Sequence, residues 1–232
     1  MNINGHYEKT DDSSASFFAN ATGGAQGWSP LQDYPAYTEI SRQGTPASVV
    51  YFIEDGIVKM THLEPSGHEV IAGLRRRNWI IGATAVLLGK KYSFTATTLV
   101  DCRFRHISSK GFLSLIETNP EFSRHILKIL SQEIYVFGKA FCSISCVPAI
   151  DRLKRLLYEI MNESKQPFEL SDKVKIYSSL KHKELAQMIA VTPEHLSRLL
   201  KRLEHDGIIA REQGLIVFNN NRSLTEEQEI QL

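Results

Sequence analysis

One stretch in the last third of the chain constrains its fold more than any other. Residues 183–209 combine two short helical patterns with a tight connection between them. In the first pattern, Leu185, Ala186 and Ile189 have the spacing of one apolar helix face. Ala186 is small enough for a second helix to cross closely above it. Ala190-Val191 is expected to form the turn between the two helices.

The second helix has clear signals at both ends. Thr192 is a good N-cap, and Pro193 suits the first helical position, where no N–H is needed. Gly207 is expected to end the helix in a left-handed conformation. The apolar stripe between them consists of Leu196, Leu199, Leu200 and Leu203. Ile208-Ile209 and 215–218 then predict two short strands around Gln213-Gly214, so the sequence predicts a helix-turn-helix with a wing.

The second helix carries polar side chains opposite its apolar stripe. A helix that reads DNA needs such a face near its N-terminus, because that end enters the major groove. Arginine pairs bidentately with guanine, and a carboxylate accepts from the cytosine amino group. Glu194 and Arg198 share this face, where an isolated helix would form only an exposed ion pair. The preceding helix, the turn and the wing favour DNA reading instead. The predicted DNA-contacting residues are Thr192, Glu194, His195, Ser197, Arg198, Lys201, Arg202 and His182.

Charge and cysteine content limit the binding partners and the cellular compartment that we expect. The 27 basic and 26 acidic side chains leave a net charge of +1, so any field that attracts DNA must be local. Three cysteines without a secretory signal or a membrane-length apolar run favour the reducing cytoplasm and no membrane partner. Cys142 and Cys146 lie one helical turn apart. They are either a redox pair or, as we favour, buried or incidental thiols.

The first half of the chain has the pattern of a small antiparallel barrel or roll. Residues 1–27 are rich in Ser, Ala, Gly, Asn and Thr and are predicted to be flexible. Turns containing glycine then separate short apolar runs, as in roll-like folds. The predicted strands are 49–53, 57–63, 70–74, 94–100 and 102–107. A short helix is expected over 109–116.

A long amphipathic helix is expected over 121–141, after Pro120. Its apolar positions are Phe122, Ile126, Ile129, Leu130, Ile134 and Phe137. Such a stripe can pack on the protein's own roll or pair with a second copy, and we predict that it forms a homodimer interface. Residues 143–148 are expected to form a hinge. A helix over 149–161 and a strand over 174–177 begin the last domain.

These elements predict an α+β fold in four segments. A flexible segment (1–27) precedes an antiparallel β-roll of the cupin-like jelly-roll type (28–119). A dimerisation helix and hinge (120–147) lead to a winged helix-turn-helix (148–232).

From Trp28 onward the chain resembles the Crp/Fnr family of bacterial transcription regulators. Residues 43–59 resemble the family's first roll strands, and 81–89 resemble its effector-pocket segment. Residues 184–209 resemble its helix-turn-helix closely, and this is the specific match. The resemblance implies a homodimer that binds double-stranded DNA and works with RNA polymerase. Glu194 and Arg198 imply inverted repeats with a TGA-type core, and Ser197 resembles the branch that reads TTGAT.

The expected effector pocket departs from the cyclic-nucleotide binders of this family. Those proteins place a Glu for the ribose directly after the glycine, where this chain has Ala83. Tyr92 takes the place of their phosphate-binding Arg, and Lys90 or Lys91 lacks the planar bidentate fork. The predicted degenerate effector pocket is Gly82, Ala83, Tyr92, Ser93 and Phe137. We therefore expect neither cyclic AMP nor cyclic GMP, and also no iron–sulfur cluster or haem.

Several alternatives remain open at the level of sequence. The regulator either responds to another, unknown small molecule or needs no effector. A cupin-like metalloenzyme needs a close His pair with a carboxylate and a further His. His62, His68 and Glu69 have the wrong spacing, so we predict that the chain is not an enzyme. The polar face of the second helix argues against a module that binds only proteins.

Overall fold

The computed structural model describes residues 27–163, 174–176, 180–212 and 215–218. The predicted flexible segment, apart from Gly27, and the predicted wing tip Gln213-Gly214 lie outside these residues. The described chain divides after Phe141 into two compact units.

Eight short strands form the body of the first unit. They are β1 (Gln32–Tyr34), β2 (Glu39–Ser41), β3 (Val49–Asp55), β4 (Val58–Leu63), β5 (Glu69–Arg75), β6 (Ile80–Ile81), β7 (Thr95–Thr98) and β8 (Cys102–Ser108). They make two antiparallel four-stranded sheets, ordered β1-β8-β3-β6 and β2-β7-β4-β5. The predicted antiparallel roll is confirmed. Strands β1, β2 and β6 were not predicted, because two or three residues are too short to show alternation.

Strand β3 is apolar along most of its length because both faces of its sheet are covered. On one side Ile53 packs in a cluster with Met60 of the other sheet. On the other side Phe52 packs against Phe112, which belongs to a helix. A strand buried on both faces has an unbroken apolar run rather than an alternating one. The strand extends through Asp55, beyond its predicted end at Ile53.

Three helices accompany these strands: α1 (Ala83–Leu87), α2 (Ser109–Thr118) and α3 (Pro120–Cys146), of which α3 continues past Phe141 into the second unit. Because α3 continues to Cys146, the predicted hinge over 143–148 is wrong in its first four residues. Only Val147-Pro148 separates α3 from the next helix. Proline disfavours helical conformation in the residue before it, whereas the serines of this segment do not break a helix.

The two long sides of α3 have different environments, and this corrects the predicted dimer interface. Phe122, Ile126 and Ile129 lie in the core of the roll with Trp28, and Phe122 is 0% exposed. These three residues therefore cannot contact a second copy. Leu130 is partly buried at the edge of this core. A helical period in sequence shows that an apolar face exists, but not which neighbour covers it.

A second apolar row of α3 is exposed. We call it the exposed seam: Leu127, Leu130, Ile134, Phe137 and Phe141. Its members recur alternately three and four residues apart, which is the spacing of a coiled-coil contact. Ile134 is 74% exposed and Leu127 is 64% exposed. Of the predicted interface residues, only Leu130, Ile134 and Phe137 belong to this row.

The second unit contains three helices and a small sheet. Its elements are α4 (Ala149–Glu163), β9 (Val174–Ile176), α5 (His182–Met188), α6 (Pro193–His205), β10 (Ile209–Glu212) and β11 (Leu215–Phe218). The strands pair antiparallel in the order β10-β11-β9. Helix α4 buries Leu153, Leu156 and Leu157 completely. Within the described residues, no helix combines the length and apolar composition that crossing a bilayer requires.

Candidate DNA interface and sensor cavity

Helices α5 and α6 form the predicted pair, joined by a tight turn. Leu185, Ala186 and Ile189 are buried, and so are the four leucines of the α6 stripe. Ala190 makes the turn with a φ of 52°. The left-handed region is unfavourable for a residue with a Cβ, so packing of the two helices must hold Ala190 there. The Thr192 hydroxyl caps α6 by accepting from the His195 N–H at 3.2 Å.

Arg152 of α4 connects the end of α3 to the helix-turn-helix. Its Nε donates to the Ile189 carbonyl at 3.0 Å, just beyond the last turn of α5. Its Nη1 donates to the carbonyls of Ile144 at 3.1 Å and Val147, at the C-terminus of α3. Burial lowers the pKa of this guanidinium. The sequence gives no signal for this role, because every one of these acceptors is a backbone carbonyl, which any residue provides.

Glu194 and Arg198 lie exposed on the first turns of α6. The pKa of Glu194 is lowered, first by its own backbone N–H and then by the Thr192 side chain. Arg198 and His182 lower this pKa further by their charge. Among the ion pairs of the described residues, none joins Glu194 to Arg198. The simple i,i+4 ion pair is thus not formed, and both side chains are exposed to solvent.

The remaining predicted DNA contacts fall into two groups. Ser197 Oγ lies 3.3 Å from His182 Nε2 and donates to the Pro193 carbonyl at 3.1 Å. This contact brings His182 of α5 beside the polar face of α6. Lys201 is exposed on the same helix, whereas Arg202 lies 3.8 Å from the carboxylate of Asp206. Asp206 therefore partly neutralises the charge of Arg202, and we expect Arg202 to contribute less to DNA binding.

A cavity of about 600 Å³ lies within the first unit, between the roll and α3. Four of the predicted pocket residues line it, namely Gly82, Tyr92, Ser93 and Phe137. Ala83 does not, because its methyl group is 1% exposed and packs into the core beneath α1. Its place in the predicted pocket is wrong: the first residue of α1 faces the interior of the roll.

Tyr92, which we predicted to replace a phosphate-binding arginine, has its hydroxyl engaged within the roll. It donates to the Val49 carbonyl at 2.6 Å and accepts from the Val49 N–H at 3.2 Å. A Cβ on Gly82 would lie 3.0 Å from the Tyr92 ring and 2.8 Å from the Val49 carbonyl, so glycine is needed there. Burial raises the pKa of Tyr92. With Ala83 in the core and the Tyr92 hydroxyl bonded to Val49, neither residue presents a charged group to the ribose or phosphate of a cyclic nucleotide.

The cavity contains an ion pair that the sequence did not reveal. Arg75 Nε lies 3.1 Å from Glu133 Oε1, and the Arg75 guanidinium lies over the Trp79 ring at 4.6 Å. Burial raises the pKa of Glu133, and the charge of Arg75 opposes that shift. Ser41 also lines the cavity and is 7% exposed. Its hydroxyl has no hydrogen-bond partner in the part of the chain that the structure describes.

Other residues singled out in the sequence are not brought together. His62 Nδ1 lies 3.1 Å from the Ser93 carbonyl. Across the described ranges no three His, Cys, Asp or Glu side chains form a group that could hold a metal. Cys142 and Cys146 are exposed on the last turns of α3, so they are not buried thiols, and the alternatives of incidental thiols and a redox pair remain predictions.

Comparison with known proteins agrees with this architecture. The family model described as "Cyclic nucleotide-binding domain" matches residues 31–119, and "Crp-like helix-turn-helix domain" matches residues 151–226. The cAMP-activated global transcriptional regulator CRP of Haemophilus influenzae is 24% identical over 190 residues, covering 81% of this chain and 84% of that protein. The CRP-like protein Clp of Xanthomonas campestris is 23% identical over 192 residues, covering 80% and 82%.

Solved structures show the same fold. The c-di-GMP responsive global regulator CLP of Xanthomonas campestris superposes with a TM-score of 0.69 at 20% identity, covering 91% of this chain and 100% of that chain. FixK2 of Bradyrhizobium japonicum gives a TM-score of 0.67 at 18% identity, covering 85% and 96%. With a cyclic-nucleotide-binding-like roll followed by a Crp-like reading domain, the chain belongs to the Crp/Fnr family of DNA-binding transcription regulators and is not an enzyme.

Proposed function

We propose that the protein is a homodimeric regulator that binds inverted repeats with TGA-type half-sites and is not controlled by cyclic AMP. The observation that carries the proposal is the exposed pair Glu194 and Arg198, which no mutual ion pair occupies. We assign one function to each of three expected segments of the chain: sensing to the roll (28–119), dimerisation to the long helix (120–147) and DNA reading to the last domain (148–232). RNA polymerase is the further partner that we propose from the family.

The chemistry of α6 supports this half-site. The Arg198 fork matches the O6 and N7 acceptors of guanine, and Glu194 accepts from the amino group of cytosine. The backbone N–H of Glu194 and the Thr192 side chain lower the pKa of Glu194, so they favour the charged carboxylate, which is the form that accepts such a hydrogen bond. Ser197, His182 and Lys201 lie around this pair and supply contacts to phosphates or flanking bases.

The exposed seam supports a dimer. An apolar row of this kind is rarely left in water, and its spacing suits a parallel helix pair. A two-fold dimer presents two reading helices to half-sites roughly 34 Å apart, one turn of DNA. The inverted repeat follows from that symmetry.

The test is selection of bound duplexes from a random library by the ligand-free protein at physiological salt. Enrichment of an inverted repeat with TGA-containing half-sites supports the proposal and indicates that no added effector is needed. Enrichment of an unrelated sequence contradicts the assigned bases. If the folded dimer enriches nothing, the reading state needs an effector, and the selection is repeated with ligands of the cavity.

The dimer itself is tested with Ile134→Glu, which places a charge in the exposed seam. We expect a monomer in sedimentation velocity, because an unpaired buried carboxylate opposes association. Gln132→Glu is the matched control, since Gln132 is exposed on α3 outside the seam. A dimeric Ile134→Glu protein would show that the contact lies elsewhere.

A further inference from the structure

We propose that the cavity binds an apolar monoanionic acid, with its carboxylate on Arg75 and its hydrocarbon part among the phenylalanines. The inference deepens the proposed function, on which it rests for the assumption that this cavity is the sensor site. It names a class of ligand that neither of the two matching family models implies.

The lining of the cavity favours a hydrocarbon or aromatic body. Phe94, Phe137 and Phe141 line it together with Met60, Ile81 and Leu88. Its volume of about 600 Å³ lies within the ordinary range of small-molecule sites. The lining also includes the hydroxyl side chains of Ser41, Thr84 and Ser93. A ribose hydroxyl placed against the apolar walls, away from these groups, would lack a hydrogen-bond partner, which is unfavourable.

The charges at one end favour a single negative charge. Arg75 is already neutralised by Glu133 at 3.1 Å, and Lys90 at the exposed margin adds one positive charge. A ligand carboxylate can replace Glu133 on the planar guanidinium, which binds such groups bidentately. A phosphate dianion would instead place excess negative charge beside Glu133.

Ser41 is an independent observation that points to a polar ligand atom. Its hydroxyl is buried beside the cavity and finds no partner among the described residues. An unsatisfied buried hydroxyl costs roughly 1–3 kcal/mol. A ligand carboxylate reached by rotation of this side chain would accept that hydrogen bond.

The same ligand would touch the proposed dimer contact. Ile134, Phe137 and Phe141 belong both to the cavity lining and to the exposed seam. Their packing in the dimer would differ with and without a ligand beneath them. A ligand that prefers one packing shifts the equilibrium by that difference in affinity.

The test is calorimetric titration of the full chain with two apolar acids, decanoate and naphthalene-2-carboxylate. Naphthalene-2-carboxamide is the neutral counterpart, and cyclic AMP is the family comparison. We expect both acids to bind, and the carboxamide to bind about tenfold more weakly or worse, because it lacks the charge-assisted contact. Cyclic AMP is expected to show no heat.

Substitutions at Arg75 and Glu133 test whether the ligand carboxylate binds at this ion pair. Arg75→Gln leaves Glu133 without its partner and can unfold the roll, so the main variant is the double change Arg75→Gln with Glu133→Gln. It is expected to lose the preference for acid over carboxamide while still binding the carboxamide. Arg42→Gln is the matched control, because Arg42 is exposed, pairs with Glu39 and does not line the cavity. Ser41→Ala is expected to weaken acid binding by a smaller factor.

The inference is overturned if neither acid binds, if acid and carboxamide bind equally, or if the double variant keeps the preference for acid. Tight binding of cyclic AMP would overturn it as well. Duplex selection on the same preparation tests the proposed function separately. If the acids bind but the protein selects no DNA sequence, whether or not acid is present, the proposed ligand class still stands. The proposed reading of inverted repeats is then contradicted.

Discussion

The reading helices and the sensor cavity keep the family architecture in different ways. On α6 the side chains of Glu194 and Arg198 are exposed and form no ion pair with each other. In the cavity the Tyr92 hydroxyl is bonded to Val49, and Ala83 lies in the core. The polar groups of the first region thus face solvent, whereas these two residues of the second contact the protein itself.

This difference shows that a fold can keep a site while changing its chemistry. Reading DNA depends on polar side chains that stay exposed until the ligand arrives. A residue such as Tyr92, which satisfies its hydrogen bonds within the protein, contributes to stability rather than recognition. The following changes test this contrast, beginning with the largest expected effect.

Arg198→Ala should abolish sequence preference. Loss of a bidentate base contact costs about 1–3 kcal/mol, and a dimer loses it in both half-sites. Fluorescence anisotropy with specific and scrambled duplexes measures the ratio of the two affinities. Arg202→Ala is the matched comparison. Because Arg202 lies near Asp206, its loss should weaken both duplexes slightly and equally. Full preference in Arg198→Ala would contradict the base-reading assignment.

Arg152→Gln should weaken the second unit and its link to α3. Hydrogen bonds from a charged donor contribute roughly 1.5–3 kcal/mol, and glutamine cannot reach the carbonyls of Ile144, Val147 and Ile189 together. Circular dichroism during urea unfolding measures the loss. Arg155→Gln, on the same helix, serves as the control. Equal effects of the two variants would show that only helix charge matters.

Tyr92→Phe should destabilise the roll by about 1–3 kcal/mol at neutral pH, because Val49 loses both hydrogen bonds. Tryptophan fluorescence during urea unfolding reports on the roll alone, since both tryptophans, Trp28 and Trp79, lie there. DNA binding should persist. Tyr37→Phe is the control, because Tyr37 is exposed. An unchanged midpoint in Tyr92→Phe would mean that the contact is dispensable.

The roll should lose stability as pH rises above about 9 to 10, the ordinary pKa values of cysteine and tyrosine side chains. Burial raises the pKa of Tyr51 to about 12 and that of Cys102 to about 11, and it raises the pKa of Tyr92. Folding favours the neutral forms of these side chains. Their contribution to stability is therefore complete below the pKa values of the unfolded chain, and it is lost as pH rises through the higher pKa values of the folded protein. Tyr51→Phe should reduce this dependence, which urea midpoints across the alkaline range measure. If the pH dependence of stability is the same in Tyr51→Phe, other titrating groups cause it.

The smallest effects concern two left-handed positions of the reading unit. Ala190 has a φ of 52° and Gly207 a φ of 70°, with nothing within 4 Å of a Cβ added at Gly207. Ala190→Gly should stabilise the unit, and Gly207→Ala should destabilise it, each by about 1 kcal/mol. Circular dichroism in urea measures both. Changes of the same sign would show that the backbone conformation is not the cause.

Local patterns predicted the reading unit well, because each of its decisive contacts lies within a few residues. Thr192 caps its own helix, Pro193 occupies its first turn, and Gly207 ends it. The leucine stripe of α6 is buried within the same unit. The longer strands of the roll were predictable for the same reason, since turns containing glycine separate them.

Tertiary structure decided the rest, because those contacts join distant parts of the chain. The sequence showed that α3 is amphipathic, but packing against the roll buried Phe122 and left Ile134 exposed. The resemblance predicted that Tyr92 replaces an arginine, but only the fold joined Tyr92 to Val49 and Arg75 to Glu133. Periodicity and capping are local properties of a chain. Which face is covered and which charges meet depend on three-dimensional proximity, and that is why the reading motif was visible in the sequence and the chemistry of the cavity was not.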